Sequence, residues 1–450
     1  MTMNPQPAAG PTAPIRKISA DVAVIGGGVV GHGIAWEARQ SGRSVVLIDD
    51  APGTGASWAA AGMLAPVSEL HYQEEQLLEL MLHSSELWPA FAAGLGARLA
   101  SRDPGAAAAG TGYLTTSTLA VGADAADRRA LADLRGAQQA SGLTVEPLTV
   151  REARDREPLL SPGISCAFDI PADHQVDPRR LLALIAESLA GSAVRERAAG
   201  LLWEDERVSG VSLAGGGTVH AGETIIANGL GAASLAGLPS GLKLPLRPVY
   251  GDILRLRVPA YLQPLVTSTV RGMVHGVPVY IVPRQDGTVV IGATQREDAL
   301  SAADFEGTGT GPAAHAGAAG SAVSSGSAVS AGGVYQLLRD AQVLVPAVAE
   351  LELLEATARA RPGTPDNAPL LGRVADARTG GDVEGLIIAT GFFRHGVLLT
   401  PAAAAICRQL MDGVADPRWA PFRPDRFFSF PAPTATPVHI VTIDPNKETA

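Results

Sequence analysis

The first patterned stretch of the chain, Asp21-Val-Ala-Val-Ile25, is apolar without polar alternation, the habit of a strand buried on both faces of a parallel sheet. Gly26-Gly-Gly28-Val-Val-Gly31 follows, then helical periodicity to about Ser41, then a second apolar run, Ser44-Val-Val-Leu-Ile-Asp49-Asp50. The predicted unit is βαβ. Gln76 to Leu95 places Leu77, Leu78, Leu80, Met81, Leu87, Trp88 and Phe91 on one broad face, a helix packed on the core. Gly112 to Val121 is strand-like, 124–141 reads as a charged helix, and Asp177-Pro178 supplies an N-cap and a first-turn proline for a helix to Leu189. Strands are expected at Val208–Leu213 and Thr218–His220, and Glu223-Thr-Ile-Ile-Ala-Asn228-Gly229 reads as a buried strand ending at a glycine turn. From Leu246 to Thr294 short strand runs joined by turns predict an antiparallel sheet. Gly385-Leu-Ile-Ile-Ala-Thr-Gly391 then leads into a helix over about Pro401–Met411.

The glycine run between the first strand and helix has the form GxGxxG, with an acid about twenty residues further on, at the end of the second strand. Gly26 permits the tight turn, Gly28 lets backbone approach a pyrophosphate, and Gly31 allows close helix packing. The amides of Val29 and Val30 then lie at a helix N-terminus, where the dipole favours phosphate. Asp49, with Asp50 beside it, is placed to accept a hydrogen bond from a ribose. This is dinucleotide binding. Directly after it, Gly55-Ala-Ser-Trp-Ala-Ala-Ala-Gly-Met63 carries almost only small side chains, a backbone on which a flat ring could lie.

At 450 residues the chain has room for two domains. A net charge of −10 argues against the basic surface that nucleic-acid binding requires, so no nucleic-acid partner is expected. Cys166 and Cys407 are the two cysteines, too few for a disulfide framework, and the nine histidines lack ligand spacing; no metal site and a reducing, cytoplasmic setting are expected. No apolar run reaches membrane-spanning length, which predicts a soluble protein. Residues 1–19 are expected to be disordered and 431–450 to form a flexible tail. Residues 307–333, nearly all Gly, Ala, Ser, Thr and Val, are expected to form a disordered low-complexity loop.

Taken with Asp173-His-Gln-Val-Asp-Pro178, Tyr280-Ile-Val-Pro-Arg284, Gly292-Ala-Thr294, Arg361-Pro-Gly-Thr-Pro-Asp366 and Gly391-Phe-Phe-Arg-His-Gly-Val-Leu-Leu-Thr-Pro401, these features resemble the D-amino acid oxidase family of FAD-dependent oxidoreductases, from about Asp21 to Phe430. The small-residue run is the most specific of them, since a nicotinamide dehydrogenase has no use for it. The resemblance implies a mixed α/β fold: a glutathione-reductase-like FAD-binding Rossmann domain plus an antiparallel-sheet substrate domain. It divides the chain into 20–98, 165–245 and 357–428 for FAD, and 99–164 and 246–356 for substrate. It implies non-covalent FAD, with Ala56, Ser57, Ala61, Gly62 and Met63 beside the isoalloxazine and Phe392, Phe393, Arg394, His395, Gly396, Val397 and Leu398 at the other end of the ring.

The resemblance further implies hydride transfer from a substrate α-carbon to the flavin, an imine that hydrolyses to a keto acid and ammonia, and reoxidation by O2 to hydrogen peroxide. Arg361 matches the family's carboxylate clamp, Tyr280 the tyrosine that assists it, and Arg394 a second arginine near the ring. Glycine or another small amine-bearing acid is the expected substrate, with transfer of the product to a thiazole-forming enzyme and a homo-oligomeric state also implied. Pro278, Gln295 and Phe392 depart from the glycine-acting pattern. Arg359, Arg361 and Val290 stand where a sarcosine oxidase carries a flavin-linking cysteine, a tyrosine and an oxygen-activating lysine. A D-amino acid dehydrogenase fits the same fold and clamp, and a non-catalytic flavin-bound assembly factor is the reading from another class.

Overall fold

Alternate residues of the first strand face different cores. Val22 and Val24 pack with Ile34, Leu47, Ile185, Ile225 and Ile387 on one side, while Ala23 and Ile25 pack with Val46, Ile48, Val211, Ile226 and Ile388 on the other. Burial on both sides is why this strand carries no polar alternation. The computed structural model describes residues 16–70, 74–100, 110–297, 328–376 and 378–428. In it the strand spans Lys17–Ile25 and pairs in parallel with Val45–Ile48 and with Thr218–Ile226. Leu386–Thr390 adds in parallel beyond Thr218–Ile226, Ala193–Val194 in parallel beyond Val45–Ile48, and Leu370–Gly372 closes one edge antiparallel. The helices Val29–Gln40, Pro178–Ser188 and Thr400–Met411 cover one face. A Cβ on Gly33 would lie 2.3 Å from Thr400 Cγ2, so the glycine lets two of these helices meet closely.

The second sheet runs Glu352–Gly363, Arg247–Arg257, Thr288–Gly292, Val277–Pro283, Thr269–Val274, Thr118–Gly122, Cys166–Ile170, Glu146–Leu148. Neighbours are antiparallel as expected, apart from the parallel pair Thr269–Val274 and Thr118–Gly122. One face carries Leu254, Val279, Ile281 and Ile291 against Leu337, Ala341 and Leu344 of the helix Ala331–Leu344. The opposite face presents Ile253, Val282 and Val290 to Ala59 and Ala61, so the small-residue run packs directly on this sheet.

Several boundaries move. Lys17–Ser19, expected in a disordered terminus, belong to the first strand because they pair with Thr218–His220; residues 1–15 and 429–450 lie outside the described residues. Of the low-complexity stretch, 307–327 lies outside the described residues. Ala331–Gly333 instead form the first turn of a helix capped by Ser330, whose hydroxyl accepts from the Gly333 amide at 3.2 Å, and Gly333 packs on Asp252. Cys166–Ile170, assigned to the FAD pieces, pairs with Thr118–Gly122 in the second sheet. Glu352–Gly363 runs across the expected break at 356/357 because its whole length pairs with Arg247–Arg257. The periodic helix is Glu75–Ala100, the charged helix is Ala125–Ala140 with Asp124 forming a capping box, and Asp177 caps Pro178–Ser188 through the Arg179 and Arg180 amides. Among the described residues, no helix is long and apolar enough to cross a membrane.

Candidate active site

One cavity of about 1290 Å³ runs between the two sheets, larger than the roughly 300–1,000 Å³ of ordinary small-molecule sites. Its nucleotide-like end is backbone made accessible by glycine. Gly26, at φ +110°, lies so close to the neighbouring strand that a Cβ would sit 2.5 Å from the Ala227 carbonyl oxygen. Gly28 precedes the Val29–Gln40 helix, and Gly31 packs against the Gly26 carbonyl, where a Cβ would approach to 1.9 Å. Asp49 directly follows the second strand, which ends at Ile48, and its carboxylate accepts from the Gly27 amide and from the Ala51 amide at 2.7 Å, which fixes its orientation. The Val29 amide donates to Ser57 Oγ at 2.9 Å, tying the helix start to the small-residue run.

That run is held from both sides. Gly62, at φ +76°, receives Val176 so closely that a Cβ would lie 2.0 Å from the Val176 carbonyl oxygen, and the Val176 amide donates to the Gly62 carbonyl at 2.8 Å. The buried Arg284 donates to the Ala61 carbonyl and, at 3.3 Å, to the Val176 carbonyl. Burial lowers the Arg284 guanidinium to about 10, with Asp177 opposing the shift, so it remains charged near neutrality. Further on, buried Asp173 accepts from the Val67 and Ser68 amides at 2.9 Å each and from the Ser68 hydroxyl, which orients the turn carrying Glu69. The Phe392–Leu398 loop in the cavity wall is anchored by Ser84 Oγ and Trp88 Nε1, which donate to the Leu398 carbonyl at 2.7 and 2.8 Å.

The cavity-facing side of the second sheet carries the charged chemistry. Register places Ile253, Gly292, Tyr280 and Arg271 in one row across four strands, and Gly251 and Arg361 on the same side of their strands. Two glycines make room: a Cβ on Gly251 would lie 2.4 Å from both Arg361 Nη atoms, and one on Gly292 would lie 2.4 Å from the Tyr280 hydroxyl. Arg361 lines the cavity and forms no ion pair or hydrogen bond among the described residues. Burial pushes the Tyr280 hydroxyl above its usual range despite the opposing charge of Arg361, so it is held as a proton donor. Glu69 forms ion pairs with Arg271 and with Arg394 Nε, the latter at 2.7 Å, and Arg394 also meets Glu74 at 3.3 Å. Burial opposes ionisation of Glu69, but Arg271 and Arg394 outweigh it and hold the carboxyl at about 2.

Gly26, Gly28, Val29, Val30, Asp49, Asp50, Ala56, Ser57, Ala61, Gly62, Met63, Tyr280, Arg361 and all of Phe392–Leu398 line this one cavity. Gly31 lies behind it, at the helix contact described above. Arg394 is in the wall, but with its charge compensated by Glu69 and Glu74. Sequence reasoning missed Glu69, Arg271 and Gly251. Arg271 was detectable as a charge alternating with the core residues Val270 and Val274, whereas Glu69 had no periodic signal. Among the described residues no group of three or more His, Cys, Asp or Glu side chains could hold a metal.

A dinucleotide fits these observations: close backbone approach at Gly26 and Gly62, a buried Asn228 Oδ1 without a hydrogen-bond partner on the cavity wall, and space extending to Arg361. Residues 21–410 match the family model described as FAD dependent oxidoreductase, and the chain belongs to that family. It is a flavoprotein of the D-amino acid oxidase kind, with FAD as its cofactor. It is similar to glycine oxidase of Geobacillus kaustophilus, 32% identical over 398 residues that cover 87% of this chain and 93% of the relative. The crystal structure of glycine oxidase from Geobacillus kaustophilus superposes with a TM-score of 0.75 at 29% identity, covering 92% of this chain and 100% of that one. The bifunctional protein ThiO/ThiG of Trichormus variabilis is 29% identical over 417 residues; the match covers 90% of this chain but 55% of that protein. Hydrogen cyanide synthase subunit HcnC of Pseudomonas aeruginosa is 26% identical over 455 residues, covering 92% of this chain and 98% of the subunit.

Proposed function

We propose that the chain oxidises glycine and other small amino acids, sarcosine and D-alanine among them, to an imine that hydrolyses to glyoxylate or the corresponding carbonyl acid and an amine or ammonia, with O2 reduced to hydrogen peroxide. The observation that carries this reading is Arg361: a guanidinium without a carboxylate partner among the described residues, seated over Gly251 in the cavity that also contains the dinucleotide signature. FAD, when bound, would supply the hydride-accepting chemistry. Arg361 would clamp the substrate carboxylate in a bidentate pair, and the protonated Tyr280 hydroxyl would donate to it. With the carboxylate fixed, orientation of the α-hydrogen supplies much of the rate, and little acid–base chemistry falls to the protein. Gly26, Gly28, Val29, Val30, Ser57, Asp49 and Asp50 would hold the nucleotide half; the small-residue run and the Phe392–Leu398 loop would flank the ring.

The same reading assigns the first sheet and its helices to FAD and the second to substrate. FAD is proposed to be non-covalent, because Cys166 and Cys407 are buried outside the cavity wall. Similarity to a ThiO/ThiG protein supports supply of the imine to thiazole synthesis; a cytoplasmic setting and a homo-oligomeric state are proposed with it. The second reading is a D-amino acid dehydrogenase, in which the electrons leave to an acceptor other than O2; a relative named as a hydrogen cyanide synthase subunit shows that similar chains carry names other than oxidase. Acid precipitation should release all flavin colour into solution, and glycine, sarcosine and D-alanine should each yield peroxide while L-alanine yields none. Flavin reduction by glycine without peroxide in air would favour the second reading.

A further inference from the structure

Resting on that reading, we infer that Glu69 sets the charge of the accepted substrate: by neutralising Arg271 and Arg394 it restricts the site to amino acids with one carboxylate, and without it the same wall would take a second one. Three guanidiniums lie at this end of the cavity wall, Arg271, Arg361 and Arg394. Two carboxylates compensate them, Glu69 against Arg271 and Arg394, and Glu74 against Arg394. Of these three, Arg361 alone is left without an ion-pair partner among the described residues, and it matches one substrate carboxylate. The next cation along the same strand, Arg359, is tied to the Thr54 and Ala358 carbonyls at 2.9 Å and the Thr357 hydroxyl at 3.0 Å, with Glu355 nearby. Asp173 also acts on Arg271, but it forms no ion pair with it, its oxygens being bound by Val67 and Ser68, and its charge is the same in every variant compared below.

Geometry places the compensated pair beside the clamp. Tyr280 is the cross-strand partner of Arg271, its hydroxyl reaches over Gly292 of the next strand, and it responds to the charges of Arg361, Glu69 and Arg271 together. A diacid bound at Arg361 would direct its second carboxylate along this row. In the parent protein it meets Glu69, an anion on anion approach in a nearly buried setting. Glu69→Gln keeps the shape, removes the negative charge, frees Arg271 from its ion pair and leaves Arg394 with Glu74 alone. Glu69 is thus a specificity-determining residue that acts through its two arginines.

The test compares the FAD-loaded parent with Glu69→Gln, Glu74→Gln and the double variant Glu69→Gln/Arg394→Gln. Activity is read as kcat/KM for D-aspartate and D-glutamate relative to glycine. Binding is read as the flavin absorbance change on adding acetate, succinate or glutarate, which requires no turnover. Glu69→Gln should raise the diacid-to-glycine ratio, and tighten succinate or glutarate relative to acetate, by about tenfold or more. Glu74→Gln should shift both in the same direction by less, and it carries the test if Glu69→Gln does not fold. The double variant removes one cation together with the anion, returns the wall to the parent's net charge and should lose the gain. If the amino acids are inert but the dicarboxylate gain appears, the charge assignment stands and the oxidase reading fails. Unchanged ratios in Glu69→Gln, or in Glu74→Gln if Glu69→Gln does not fold, would overturn the inference, as would a gain that persists in the double variant.

Discussion

Arg361 and Gly251 act as a pair: one supplies the charge and the other the space in which it sits. Losing one partner of a desolvated charge pair costs about 2 to 5 kcal/mol, so Arg361→Ala should lower kcat/KM for glycine by roughly 30-fold to several thousand-fold, with FAD content unchanged. Gly251→Ala tests the same contact from a residue with no chemistry of its own. A methyl group 2.4 Å from both Nη atoms must displace the guanidinium, and misplacement by about 1 Å can cost on the order of 100-fold. Steady-state oxidation by the two variants, normalised to bound flavin, checks both; rates within a few-fold of the parent would remove Arg361 from the clamp role. Arg361 was legible because it lies in a recognisable Arg-Pro-Gly-Thr-Pro-Asp string. The role of Gly251 was not, since it exists only once antiparallel pairing brings Arg247–Arg257 beside Glu352–Gly363.

Between residue and domain, the turn after the small-residue run depends on buried Asp173. Burial raises its carboxyl from 3.8 to about 6, against the lowering effect of Ser68 and Val67. Between those values the folded chain keeps a proton that the unfolded chain has lost, so this group's contribution to stability falls as pH rises through the window. Relative to Asp173→Asn, the parent should therefore lose on the order of 3 kcal/mol of unfolding free energy between about pH 4 and about pH 6. Denaturant titrations of both proteins across that range measure it; parallel pH profiles would show that Asp173 carries no such linkage. Elements with strong local signals were legible in the chain: the βαβ unit, the Glu75–Ala100 helix, and the Asp177 cap with Pro178 behind it. The helix start at Ser330–Gly333 was hidden by low-complexity composition, because what fixes it is a hydroxyl cap and the fit of Gly333 on Asp252. Membership of Cys166–Ile170 in the second sheet was hidden for a related reason: a five-residue buried strand does not disclose its partner.

At the scale of the whole molecule, the two sheets meet along one cavity whose wall contains both the glycine signature and Arg361, Tyr280 and the Glu69 cluster. On the proposed reading, a nucleotide-binding edge and a cationic sheet face share this space because the cofactor's reactive ring lies between them. The central claim is that a small amino acid gives up its α-hydrogen there. Mixing the purified FAD-loaded protein with glycine in the absence of air, and following the visible flavin band, tests it most directly. The account predicts that the band bleaches with glycine and with D-alanine, stays unchanged with L-alanine, and returns on admission of air with peroxide formed in proportion to flavin. A band that persists with each small amino acid, in protein carrying its full complement of FAD, would contradict it.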